Sequence, residues 1–285
     1  MTGKIIKQIS NDYTVKIDNE CVVCKARGKF RKLGISPIVG DNVKIDLENK
    51  YIIEIMKRTN ELKRPIIANI DQAVIIVSTH IPNFSSELLD KLLCIIEFNN
   101  IKPIICFTKL DLLNQEELDM IINIQKYYRN IGYEVYNNTD KKLKEIFKDK
   151  ITVFTGQSGS GKSTLLNRLD NTLNIKVGEV SKALGRGRHT TRHTELIETM
   201  GGYIADTPGF SSVDFNGMSK IDIRDNFIEF NNYKIKCQYK DCMHDKEDKC
   251  EIKNKVDENV ILRSRYNNYL KFIRGEYDSS VNTRY

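Results

Sequence analysis

Over the first 64 residues apolar positions alternate with polar ones in short runs: Tyr13–Ile17 (YTVKI), Glu20–Ala26 (ECVVCKA), Asp41–Leu47 (DNVKIDL) and Tyr51–Met56 (YIIEIM). A period of two puts successive side chains on opposite faces of a strand. Asp-Asn, Gly and Pro interrupt the runs, so residues 1–64 are predicted to form a small all-β barrel. From Pro65 the pattern changes. The runs AVIIVS, PIICFT, ITVFTG and YIADT are apolar throughout and alternate with the helical stretches SELLDKLLCIIEF and GKSTLLNRL. That alternation predicts an α/β domain with a mostly parallel sheet over residues 65–213. Beyond about Ser212 the chain turns polar and helical with three closely spaced cysteines, and residues 214–285 form the third part. The chain has neither internal repeats nor low-complexity segments.

The strongest chemical signal is GQSGSGKST, residues Gly156, Gln157, Ser158, Gly159, Ser160, Gly161, Lys162, Ser163 and Thr164. It follows the strand ITVF and opens the helix KSTLLNRL, the context that confirms a phosphate-binding loop. Glycines let backbone N–H groups close around a phosphate, and the helix N-terminus adds its positive dipole end. Lys162 would reach the β/γ oxygens and act in catalysis, while the Ser163 hydroxyl would coordinate Mg²⁺. This loop does not choose the base. Thr108-Lys109-Leu110-Asp111 resembles the guanine-holding element of GTPases. A carboxylate at Asp111 accepts from guanine N1–H and its exocyclic amine, which adenine cannot offer there. Lys109 would lay its stem over the base. Thr108 stands where Asn is usual, and its hydroxyl retains one donor.

A third element, GGYIADTPGF, puts Asp206 at a strand end as the Mg²⁺-holding acid and Gly209 within reach of the γ-phosphate. The intervening GRGRHTTRHTEL, Gly185 to Leu196, offers Thr190 or Thr191 to complete the Mg²⁺ shell, and spacing does not choose between them. Ras-like enzymes orient the attacking water with a Gln after Asp-x-x-Gly; here Phe210 takes that place. His189, on the same stretch as the threonines, is the candidate to supply the missing polar group. Base reader, phosphate loop, switch threonine and Asp-x-x-Gly are thus all present, in rotated order. A cyclic rotation leaves a sheet and its loops unchanged when the old termini are neighbours, so the domain is expected to be circularly permuted.

Cys237-x4-Cys242-x-His244-x5-Cys250 places three thiolates and an imidazole within fourteen residues. The set suits one tetrahedral structural Zn²⁺ per chain, whose binding would supply folding energy to a segment with few apolar residues. Cys21 and Cys24 have no second ligand pair nearby and fit alternation in a strand, while Cys94 and Cys106 sit in apolar runs that read as core. The odd count of seven cysteines argues for a reducing compartment, and no run of eighteen apolar residues or signal-peptide core is present. A soluble cytoplasmic chain without a membrane partner is expected, and a monomer.

In this combination the chain resembles the circularly permuted, small-ribosomal-subunit-dependent GTPases of bacterial small-subunit maturation. The resemblance spans nearly the whole chain: VGDNV at Val39–Val43, RPIIANIDQ at Arg64–Gln72, TKLD, GQSGSGKST, GRGRHTT, DTPGF and the Cys/Cys/His/Cys spacing. It implies a multidomain α/β protein with an N-terminal OB-fold barrel, a permuted P-loop GTPase domain and a C-terminal helical zinc-binding domain. It also implies late maturation of the small subunit, hydrolysis of GTP to GDP and phosphate stimulated by that subunit, and contacts with its rRNA. One departure is that YEVYNN provides no Ser-Ala pair behind the guanine. Charge agrees with an RNA partner: residues 1–64 carry 14 Lys/Arg against 8 Asp/Glu within a chain of net charge +7. Lys25, Arg27, Lys29 and Arg31 alternate and would line one strand face, where OB-folds commonly bind oligonucleotides. Two other classes compete: a P-loop metabolic kinase or ATPase, opposed by the guanine reader, and an RNA-binding scaffold with an inert nucleotide site.

Overall fold

A computed structural model describes residues 1–63, 66–173, 175, 195–205 and 214–277. The first unit contains β1 (Thr2–Ile9), β2 (Asp12–Ile17), β3 (Glu20–Ala26), a short helix α1 (Lys29–Lys32), β4 (Asn42–Asp46) and β5 (Tyr51–Ile55). The strands close into a barrel in the order β1-β2-β3-β5-β4, with β3 and β5 parallel and β1 sealing against β4. This is the five-stranded connectivity of an OB-fold. Ile5, Val15, Val43 and Ile52 are fully buried inside it. Alternation along β1 is broken by a bulge between Ile5 and Lys7, which explains why its sequence, KIIKQI, carries no clean period of two.

The expected row of basic residues on one strand face is not formed. β3 stops at Ala26, and Lys29 and Arg31 belong to α1. Gly28 weakens strand pairing there, and Phe30, only 6% exposed, turns the chain inward to join the barrel core. The four positions are thus divided among the end of β3, a turn and α1. After α1 the VGDNV segment turns on Gly40 (φ +90°), where a Cβ would lie 2.0 Å from the Ala68 carbonyl oxygen. The neighbouring Asp41 is fully buried and held by a bidentate Arg58 at 2.7 and 2.8 Å.

A hairpin of β6 (Glu61–Lys63) and β7 (Ile66–Ala68) leads into the second unit. There β8 (Gln72–Ser78), α2 (Ser86–Phe98), β9 (Lys102–Thr108), α3 (Gln115–Asn130), β10 (Glu134–Asn137), β11 (Ile151–Thr155), α4 (Lys162–Leu169), β12 (Leu196–Thr199) and β13 (Gly202–Ala205) follow in turn. They make a six-stranded sheet, β10-β9-β8-β11-β13-β12, parallel except for β12. All seven residues of β8 are buried, as a strand covered on both faces requires. The carboxyl ends of β8, β9 and β11 therefore lie side by side.

The third unit has α5 (Lys220–Asp225), α6 (Glu251–Asp257) and α7 (Arg263–Arg274) around an aromatic core with Phe227, Phe230, Tyr269 and Phe272. α2 is shared. Its residues from Leu89 to Ile96 are all buried, because Leu89, Leu92, Leu93 and Ile96 pack into the sheet core while Cys94 and Ile95 enter the aromatic core. Cys94 and Cys106 are buried as expected; Cys21 is exposed and Cys24 faces the barrel interior.

Candidate nucleotide and metal sites

The segment from Gly156 to Gly161 joins β11 to α4 at the carboxyl edge of the sheet. Gly156 has φ +132°, and a Cβ there would stand 2.3 Å from the Ile76 carbonyl oxygen of β8, so only glycine lets the loop leave the sheet this way. Lys162 Nζ donates to the carbonyls of Gly156 at 2.7 Å and Gln157 at 2.8 Å, folding its stem across the loop. Burial pushes its pKa down to about 8. Ser163 is buried in the first turn of α4. Ser160 is buried too, and its Oγ makes no hydrogen bond among the described residues.

The base-reading segment lies against this loop, although some fifty residues separate the two in sequence. Thr108, the last residue of β9, donates from Oγ1 to the Ser160 carbonyl at 2.7 Å, and Lys109 Nζ donates to the Gly159 carbonyl at 2.8 Å and to that of Ile81. Lys109 is left-handed (φ +62°), a conformation a non-glycine residue keeps only when its surroundings hold it, and the two Nζ bonds do so. Thr79 fixes the turn from behind, with its hydroxyl and its N–H both on the Thr108 carbonyl at 2.9 and 3.2 Å. Leu110 opens a 3₁₀ turn on which Asp111 is exposed, its carboxylate making no hydrogen bond to a described residue. At the end of β10, Asn137 accepts from Gln125 at 2.8 Å, and Asn138 N–H bonds the Phe107 carbonyl at 2.8 Å. The structure thus brings Thr108 to Asp111 and Gly156 to Thr164 to one edge. His189, Thr190, Thr191, Asp206, Gly209 and Phe210 lie outside the described residues; Asp206 is next after the last residue of β13, which neighbours β11.

The second constellation is Cys237, Cys242, His244 and Cys250, whose donor atoms all lie within 4.8 Å of one another. Cys237 Sγ is 3.7 Å from His244 Nδ1 and 4.0 Å from Cys250 Sγ, and Cys250 Sγ is 3.3 Å from the same Nδ1. Bonds of the usual zinc lengths in a tetrahedron leave donors about 3.3–3.8 Å apart, so the four can hold a metal ion. Burial, then Arg224, drives the His244 pKa down to about 4, which keeps the imidazole in its metal-binding neutral form. His244 adopts φ +59°, with its ring edge-on to Phe230 at 5.5 Å. Tyr266 and Tyr269 of α7 donate to the carbonyls of His244 at 2.6 Å and Met243 at 2.5 Å, and Glu247 accepts from the N–H groups of Met243 and Asp245. The knot therefore stands on an aromatic base that the spacing of its ligands does not reveal.

A buried ionic cluster joins the second and third units. Arg265 of α7 bonds Asp90 of α2 at 2.6 Å and Glu229 at 2.5 and 2.9 Å, all three nearly inaccessible. Tyr128 at 2.5 Å and Asn268 at 2.7 Å complete the Asp90 carboxylate, and the guanidinium lies 4.5 Å from the Phe227 ring centre. The reading of the sequence missed this cluster. Its signal is a charge on an apolar face: Arg265 shares the helix face of Tyr269 and Phe272, and Asp90 interrupts LLDKLL.

A P-loop laid against a guanine-type reader that precedes it in the chain, beside an OB barrel, defines a circularly permuted GTPase. Two families match accordingly: "RsgA GTPase" over residues 53–216 and "RsgA N-terminal domain" over residues 2–52. Relatives include "Small ribosomal subunit biogenesis GTPase RsgA 2" of Oceanobacillus iheyensis, 46% identical with 95% of this chain and 96% of that one covered. The RsgA of Clostridium acetobutylicum, under the same biogenesis GTPase name, is 49% identical over 95% of this chain and 96% of its own. Among solved structures, "YloQ, a circularly permuted GTPase" superimposes with TM-score 0.82 at 39% identity, over 100% of this chain and 96% of that one. YjeQ from Thermotoga maritima gives 0.83 at 30%, over 100% and 99%. The chain belongs to the RsgA GTPase family and is a GTP hydrolase. No helix among the described residues is long and apolar enough to cross a membrane.

Proposed function

We propose that the protein binds GTP at the edge formed by Thr108–Asp111 and Gly156–Thr164, and uses its hydrolysis in late maturation of the small ribosomal subunit. The observation that carries this is the pair of bonds from Thr108 and Lys109 to the loop carbonyls of Ser160 and Gly159. They set base reader and phosphate loop at a fixed separation, as recognition of one nucleotide requires. In this reading Asp111 accepts from guanine N1–H and the exocyclic amine, and Lys109 covers the base. Lys162 would leave its two carbonyls for the β/γ oxygens, and Ser163 and Asp206 would hold Mg²⁺. Mg²⁺ bound with GTP would supply positive charge to the phosphates. Thr190 or Thr191 would complete the Mg²⁺ shell, the Gly209 N–H would touch the γ-phosphate, and His189 would orient the water that Phe210 cannot.

The chain divides at residues 1–64, 65–213 and 214–285. The basic first part contacts rRNA of the small subunit, and the Cys237, Cys242, His244 and Cys250 knot carries one structural Zn²⁺. The protein acts as a cytoplasmic monomer. The relatives' names for small-subunit biogenesis support this partner. Single-turnover GTP hydrolysis with and without small subunits tests the reading. A large stimulation by small subunits, absent with large ones and lost in His189→Ala, is expected; no stimulation would leave an inert or housekeeping nucleotide site. Asp111→Asn should weaken GTP and favour xanthosine triphosphate, whose carbonyl replaces the guanine amine.

A further inference from the structure

Thr108 occupies the place where guanine readers usually carry Asn, and the two side chains differ in proton count. A threonine hydroxyl donates one hydrogen bond; a primary amide donates two. In this protein the single proton is committed. Thr108 Oγ1 lies 2.7 Å from the Ser160 carbonyl oxygen, its other acceptor being Val77 O at 3.4 Å, and the residue is 3% exposed. The backbone of Gly161 closes over it, with an added Cβ at that glycine falling 3.7 Å from Oγ1. Releasing the proton to a ligand would orphan a buried carbonyl, a cost comparable to the bond gained. The bond also sets the loop: a trans peptide points its N–H opposite its C=O, so fixing the Ser160 carbonyl toward β9 turns the Gly161 N–H away from β9.

We infer that Thr108 is a positioning residue that ties the phosphate loop to β9, and that it leaves guanine N7 unread, so that the base is selected on its N1 and exocyclic-amine edge through Asp111. This rests on the nucleotide site proposed above. It separates two roles that an Asn could combine: one side chain here holds the loop, another reads the base.

Equilibrium affinities of GTP, 7-deaza-GTP and ITP for the full chain and for Thr108→Val and Thr108→Ser test it. ITP lacks the exocyclic amine and should bind at least about ten-fold more weakly to the unaltered chain. ITP binding as tightly as GTP would instead sink the Asp111 assignment, a failure distinct from that of the present inference. With that control in place, 7-deaza-GTP should bind within about two-fold of GTP. Thr108→Val should weaken GTP and 7-deaza-GTP by the same factor, about five- to fifty-fold. Thr108→Ser should restore both, which also shows that the loss follows the hydroxyl and not a folding defect. A ten-fold preference for GTP over 7-deaza-GTP that vanishes in Thr108→Val would show the hydroxyl reading N7. The same preference persisting in Thr108→Val would give N7 to another donor. Either result overturns the inference.

Discussion

The GTPase sheet is joined on one side to the barrel and on the other to the unit with the Cys237, Cys242, His244 and Cys250 cluster, and the charges that cross the two joints are placed differently. At the barrel, apolar groups are inside: Leu62, Ile67 and Ile70 link the barrel core to the sheet core. The ion pairs that cross between the two units reach solvent, with Lys7 bridging Glu195 at 2.9 Å and Lys16 bridging Glu198 at 3.0 Å along β1, β2 and β12. At the other joint Lys271 and Glu87 pair at the surface at 2.6 Å, but most of the charge is inside. Arg265, Asp90 and Glu229 are sealed beneath aromatic rings, and Lys91, itself buried, pairs with Asp214 at 3.2 Å beneath Tyr277. Coulomb attraction weakens about as the dielectric rises, so the same pairs that matter little in water matter much in the core. The buried cluster need not raise net stability over an apolar filling, but it permits one seating of α7 on α2, since any slip strands a charge.

The comparison can be broken most severely at the Cys237, Cys242, His244 and Cys250 cluster, on the proposal that it holds a metal ion. Removing it with a strong chelator, or substituting Cys242→Ser, should release residues 237–250 to rapid amide exchange. The aromatic core beneath should persist and GTP affinity should stay largely intact, because among the described residues the knot makes no bond to the nucleotide edge. One equivalent of zinc by elemental analysis is expected, and iron or no metal would refute the assignment.

Next comes Arg265→Leu, which leaves two carboxylates buried without their cation and should cost about 3–5 kcal/mol in denaturant unfolding. The triple variant Asp90→Leu, Glu229→Leu, Arg265→Met should recover most of that loss. If the single variant loses less than about 1 kcal/mol, the contrast between the joints collapses.

Lys162 lies between the extremes. Burial lowers its pKa from 10.5 to about 8. The unfolded chain therefore holds a proton between pH 8 and 10.5 that the folded, nucleotide-free protein lacks, and stability from this group rises with pH across that window. Phosphates restore the proton. GTP binding at about pH 8.5 should take up a fraction of a proton, seen by calorimetry in buffers of different ionisation heat, and affinity should fall as pH climbs further. Binding without uptake would mean that Lys162 stays charged in the free protein. The smallest effect belongs to Lys7→Ala, worth less than about 1 kcal/mol and erased by added salt.

Much of the nucleotide edge was legible because its signals are local. Gly156 and Gly161 are needed by the backbone itself, and Lys162 and Ser163 follow them at fixed offsets. The grouping of Cys237, Cys242, His244 and Cys250 was legible for the same reason, being four soft or borderline donors in one short segment. What escaped was set by partners distant in sequence. The basic row failed because Gly28 and the inward Phe30 ended β3 early, a decision made by the barrel core. β1 was hidden by its own bulge. Asp90 and Arg265, 175 positions apart, carry no mutual signal until α2 and α7 pack together.

By itself the sequence determined the alternation of strands and helices around the phosphate loop, the order of the motifs and, from that order, the permutation, because period, turn chemistry and ligand spacing act over a few residues. Only the tertiary structure decided that the Thr108 hydroxyl goes to the Ser160 carbonyl, that α2 serves two cores, and that a charge cluster crosses one joint in its interior while the pairs crossing the other reach solvent. Those outcomes depend on which groups lose water together, and desolvation is a property of the packed whole.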